Sequence, residues 1–200
     1  MVTTAELIVR GTELKRELVA YAQQPRYHRA FREALRAQGV GFAVDDDREQ
    51  IMFLDYFVLQ HRFRNGKTVV EQFVAARPDL SAAEREMVLG WRDVVEGIFE
   101  VRGRDGDALL VHNLVDELPY RVHANTGPGT FDRIPDGSFL ITRLIPVGPE
   151  WVMSGASATV PHSQRQQIYK RAADLAQRRP SLARRNPDKR AGDPAEPAES

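Results

Sequence analysis

The 200-residue chain contains no cysteine, which excludes a disulfide framework, a thiol nucleophile and a zinc site built on thiolates. Any metal would have to be held by histidine and carboxylate. Long apolar runs are also missing. The longest, Ile51 to Leu59, is broken by Asp55 and falls well short of the roughly 20 residues that a membrane-spanning helix needs. No membrane segment is expected. The opening stretch, MVTTAELIVRGTELKREL, shows no basic leader followed by an apolar block, so the location read from it is cytoplasmic. Nor is there an excess of either charge, since 28 Lys and Arg balance 28 Asp and Glu. Any electrostatic role must therefore come from how the charges are distributed.

What is present is globular. An apolar fraction of 42% with 28% charged residues lies near the average for folded domains, and the length suits one domain or two small subdomains that share a core. The distribution of charge is uneven. Residues 161–190 carry nine Lys or Arg against Asp174 and Asp188, a local charge of +7, while residues 1–160 carry −4. Such a block either contacts an acidic surface or keeps a solvated tail in solution.

Periodicity divides the chain. Leu7, Leu14, Leu18 and Ala22 share one face of a helix over residues 4–23. Pro25 suits the first turn of a second helix that carries Tyr27, Ala30, Phe31, Ala34 and Leu35 and ends at Gly39 and Gly41. The run at Ile51 has no period-2 alternation and reads as a buried third helix, with a buried strand as the alternative. Val69 to Val74 fit a short helix, and Ser81 with Glu84 forms a capping box that opens another over residues 82–96. From Gly97 the pattern becomes short β-prone runs separated by turns at Asp105-Gly106 and Asp116 to Pro119. These features predict an α+β protein: a helical half (1–96), a small antiparallel β-barrel-like half (97–160), a closing basic helix (161–179) and a disordered tail (180–200).

The blocks LDYFVLQHRFRNGKTVVEQFV, LSAAEREMVLGWRDVVEGIFEV, VHNLVDELPYRV, DGSFLITRLIPVG and WVMSGA resemble an uncharacterised family of bacterial proteins, in many of which this region lies beside a cysteine-rich SEC-C zinc motif. The resemblance spans roughly residues 50–160 and implies a helical half followed by a small β half. It implies no activity. Because cysteine is absent, the zinc element and its chemistry do not carry over.

Asp55 is the one carboxylate in the apolar run. Unpaired and buried it would be costly and its pKa raised, as an acid or base catalyst requires; paired, it would pin the helical half to the β half, with Arg62 near the same helical face. Asp45, Asp46, Asp47 and Glu49 lack the spacing of a calcium loop and read as charge at a helix start. His112 and His123 would face each other across a hairpin turning near Glu117, but two ligands do not make a zinc site. NTGPGT matches no phosphate-binding loop, and Ser154 lacks the surroundings of a nucleophile elbow. Trp91, Trp151, Phe139 and Tyr120 read as core aromatics, although exposure beside Arg121, Arg133 or Arg143 would suit single-strand binding.

The leading expectation is a non-catalytic binding or adaptor module without cofactor or metal. Its partner would be RNA, DNA or a ribonucleoprotein, held by Arg165, Lys170, Arg171, Arg178, Arg179, Arg184 and Arg185 through phosphate neutralisation. One alternative is a metal- or acid/base-dependent hydrolase with a site between the halves, using Asp55 with His61 or His112. Another is a protein-protein interaction module for which the tail is irrelevant.

Overall fold

The computed structural model describes residues 3–37, 47–125, 127 and 129–187, with the side chains of 47–49 and 156 excepted. The elements follow the order α1 (Thr4–Ala22), α2 (His28–Ala37), α3 (Asp47–Leu59), α4 (Val69–Ala75), α5 (Ala82–Gly90), β1 (Val95–Asp105), β2 (Ala108–Asn113), β3 (Pro119–His123), β4 (Phe139–Val147), β5 (Glu150–Val160) and α6 (Arg165–Arg178). The protein is thus α+β. Three of its helices begin with the same device. Thr3 with Glu6, Thr68 with Glu71, and Ser81 with Glu84 each form a reciprocal capping box that satisfies amides otherwise orphaned at a helix start.

α5 ends six residues earlier than periodicity suggests. Val94 and Val95 continue its apolar stripe in sequence, yet Val95 and Glu96 pair with Leu144 and Arg143 and belong to β1. β-branched residues at a half-buried sheet position favour the strand, and a single 3₁₀ turn, Trp91–Asp93, makes the change of direction.

The five strands close into a barrel in the order β1-β2-β3-β5-β4. All neighbours are antiparallel except β3 and β5, which run parallel and share only the pairs Val122 with Trp151 and His123 with Val152. A bulge between Val101 and Gly103 bends β1 so that it can pair with both β2 and β4. Its interior holds Phe99, Val101, Leu109, Val111, Val122, Leu140 and Leu144.

Two other cores coat the outside. The helical core joins Leu14, Leu18, Phe57, Val70 and Trp91 to Ile145 and Val147 of β4 and Val152 of β5; at roughly 1.5–3 kcal/mol per fully buried large side chain, this seam makes helices and barrel one folding unit. Gly11 permits the close approach of α1, because a Cβ there would lie 3.2 Å from Val147. On the other side Ile168 and Ala172 of α6 pack on Ile98 and Phe139 of β1 and β4. The outer faces of β1, β4 and β5 are therefore covered, and that of β2–β3 is open.

The ordered chain runs further than composition suggests. Pro180–Ala183 form a 3₁₀ turn, Ala183 is buried, and the Asn186 amide donates to the Asp116 carbonyl at 2.7 Å. The start of the tail is corrected accordingly: residues 180–187 lie against the barrel, with Arg184 and Arg185 paired to Asp93 in the turn before β1. Residues 188–200, including Lys189 and Arg190, lie outside the described residues.

Candidate functional site

Asp55 occupies the seam. Its Oδ1 accepts from Lys15 Nζ at 2.5 Å and from Ser154 Oγ at 2.7 Å, and the same ammonium donates to Ser154 Oγ at 2.9 Å. Three elements, α1, α3 and β5, meet at one polar point. Asp55 is 5% exposed and Ser154 2%. Gly155 follows with φ of +69°, and a Cβ at that position would sit 3.0 Å from the Asp55 Cγ. The expected partner Arg62 is elsewhere, donating to the Gly66 carbonyl.

A serine beside a lysine is also a nucleophile-base pair, but this one is not set up as such. An activating lysine must be a free amine, whereas Lys15 is ion-paired with Asp55. The serine proton is directed at the same carboxylate. The cluster ties α1 and α3 to β5.

The other residues of the proposed acid-base site are not brought to it. His61 stacks on Phe57 at 5.0 Å and meets Phe63 edge-on, and burial holds its pKa below the ordinary value. His112 lies on the barrel, opposite Glu100 on β1 and Pro119 on β3. The facing pair of His112 and His123 is not formed, because the tight turn at Asn113 to Leu118 sets a different register. His123 instead receives a bond from Arg121 at 3.0 Å and lies 3.3 Å from Glu150. Among the described residues no three His, Asp or Glu converge as a metal site. Asp45 and Asp46, and the side chains of Asp47 and Glu49, lie outside the described residues.

The basic block is distributed around the barrel. Arg178 pairs with Asp174 at 2.8 Å, Arg179 with Glu96 at 2.9 Å and Arg184 with Asp93 at 2.9 Å. Arg185 also meets Asp93 and lies over the Trp151 ring, 4.7 Å from its centroid. Arg179, Arg184 and Arg185 fasten the C-terminal segment, while the Arg178 pair stays within α6. Arg165 stands 5.3 Å over the Tyr169 ring, and the Tyr169 hydroxyl donates to Glu100 at 2.8 Å. Lys170 and Arg171 are exposed.

Of the aromatics, Trp91, Phe139 and Tyr120 are core, and Trp151 is half-buried against Tyr120. Arg143 is a half-buried anchor that donates to the Met52 carbonyl and to Gln60.

The open barrel face begins beside α6. Arg102 binds Glu100 at 2.8 Å, and with Leu110, His112, Pro119 and Arg121 it lines a shallow groove of about 470 Å³. Arg121 is shared between Asp105 at 2.9 Å and Glu150 at 2.8 Å. Exposed apolar groups, Leu110 and Tyr169, stand among cations. Glu100 connects them, bonding Tyr169 on one side and Arg102 on the other. Sequence reasoning missed Arg102 and Tyr169 as neighbours, since only the strand register and the docking of α6 bring residues 67 positions apart together.

Among the described residues no helix is long and apolar enough to cross a membrane. The chain matches no curated protein and no solved structure. A family model does match, over residues 8–186, and its limit coincides with Asn186, the residue whose buried amide closes the C-terminal segment onto the barrel. The chain belongs to that family, a family of unknown function (DUF7986).

Proposed function

We propose that the protein is a non-catalytic cytoplasmic binding module whose partner is a nucleic acid, free or in a ribonucleoprotein, held on the surface from α6 to β2–β3. One observation carries this reading. The protein's own helices cover the outer faces of β1, β4 and β5 and leave open a strip where Tyr169, His112 and Leu110 alternate with Arg165, Arg102 and Arg121. Flat rings set among guanidinium groups match what unpaired bases and phosphates need. Five-stranded barrels that take up oligonucleotides on their β2–β3 face support it by analogy of fold. The likeness to the region beside SEC-C zinc motifs adds no metal chemistry, because the chain has no cysteine.

Within the basic block, Arg165 and Lys170 are the phosphate contacts this surface favours; Arg102 adds to them on β1, where a phosphate would compete with Glu100 for it. At Arg178, Arg179, Arg184 and Arg185 a phosphate would have to replace a carboxylate already in place. The test is fluorescence anisotropy of labelled single-stranded RNA and DNA with the full chain, at low and moderate salt. Binding should weaken as salt rises and fall at least tenfold in a variant carrying R102E, R165E and K170E, since each neutralised phosphate contributes about 0.7 to the log–log salt slope. No binding at low salt, or binding indifferent to those charges, would sink the reading and leave a protein partner as the next candidate.

A further inference from the structure

On the opposite flank of α6 from Tyr169, a cleft of about 240 Å³ lies where α3, β1, β4 and α6 meet. Its apolar wall is Met52, Ile98, Ile141 and Leu175. The charged groups around it are Arg143 and Arg171 against Glu96 and Asp174, equal in number and mixed in sign. Most of these are already engaged. Glu96 takes Arg143 and Arg179, and Asp174 takes Arg178 on Oδ1. Arg171 is different. Three residues from Asp174 on the same helix, it makes no ion pair with it, and among the described residues it has no hydrogen-bond or ion-pair partner. Asp174 Oδ2 is likewise open among the described residues.

We infer that this cleft binds a free apolar α-amino acid, with its carboxylate on Arg171, its ammonium on the open Oδ2 of Asp174, and its side chain against Met52, Ile98, Ile141 and Leu175. Size sets the class: 240 Å³ is below the roughly 300–1,000 Å³ of sites for drug-sized ligands, so the occupant is a molecule of one amino acid's bulk. Charge sets it further. A simple anion would meet two carboxylates and a simple cation two guanidinium groups, whereas a zwitterion answers both. The apolar wall selects a side chain such as that of leucine, methionine or phenylalanine over glycine. The site is independent of the nucleic-acid surface, because Arg171 and Tyr169 leave α6 on different sides.

The experiment is isothermal titration calorimetry of the full chain with L-leucine, L-methionine and L-phenylalanine, with glycine, N-acetyl-L-leucine and L-leucinamide as controls, and thermal unfolding alongside. At least one apolar amino acid should bind with unit stoichiometry and raise the melting temperature, because a ligand that joins four elements binds only the folded state. The three controls should each bind at least tenfold more weakly. Arg171→Ala should lose binding by a similar factor while keeping the ligand-free melting temperature, since Arg171 makes no internal bond to lose. No heat with any of the three amino acids would overturn the inference. So would equal binding of N-acetyl-L-leucine, which would mark a plain anion site, or undiminished binding in Arg171→Ala, which would place the ligand elsewhere.

Discussion

Lys15, Asp55 and Ser154 tie the helical half to the barrel inside the molecule, while Arg179, Arg184 and Arg185 tie the C-terminal segment to it in the open. The chemistry is the same, cation to carboxylate at hydrogen-bond distance. Depth makes the difference. The Asp55 side chain is 4% exposed, whereas those of Arg184 and Asp93 are 53% and 51% exposed. Inside, losing one partner strands the other without water. Outside, water and salt take over. The lesson is that the outer pairs guide the segment to its place, and the burial of Ala183 and Asn186 holds it there.

The buried pin should give the largest effect. Asp55→Ala should destabilise the fold by about 3–5 kcal/mol, because Lys15, whose side chain is only 12% exposed, is left without its counter-charge. Urea denaturation measures this, and a loss below about 1 kcal/mol would show that the pin behaves like a surface pair. At the shallow end, Arg184→Ala should cost at most about 1 kcal/mol. That cost should shrink further in high salt, a check made by repeating the denaturation at raised ionic strength.

The smallest expected effect concerns Glu84, which joins a helix cap to Arg10 at 2.5 Å. Bonds from the Ser81 backbone and hydroxyl, with Arg10 beside them, lower its pKa from 4.5 to about 2. The folded state thus holds the proton less tightly than the unfolded chain, so the contribution is present above pH 4.5 and is lost as pH falls through about 2. Glu84→Gln should flatten the stability profile across that window, by less than about 1 kcal/mol because the group faces water. Asp116 has the opposite sign. Burial raises its pKa above 3.8, so what it contributes is full below 3.8 and declines as pH rises through the raised value.

Much of the architecture could be read from local pattern. The apolar stripe of Leu14 and Leu18, the capping box at Ser81 and the turn at Asp105-Gly106 depend on neighbours three or four positions away, and each stands where the sequence places it. The end of α5 could not be read that way. Val94 and Val95 suit a helix face and a strand equally, and the choice fell to pairing with Leu144, nearly fifty positions on. The histidine pair failed for a related reason: a turn centred about two residues earlier moves every cross-strand partner.

The candidate site was less legible. Asp55 stood out because a carboxylate in an apolar run must find a partner, but nothing near it in sequence identified Lys15 or Ser154, 40 and 99 positions away. The basic block was visible, while its use was not. Composition counts charges without their partners, and only docking showed that Asp93 and Glu96 take three of the arginines and that Arg171 is left over.

By itself the sequence determined the class of the protein. No cysteine, no long apolar run and a change of period at Gly97 settle the absence of thiol chemistry and the succession of helices and strands, because these follow from residue type and spacing along the chain. The tertiary structure decided what each group touches. Which partners a carboxylate has, whether an arginine is ion-paired, and which barrel face stays open depend on burial and on residues distant in sequence, and those exist only once the chain has closed on itself.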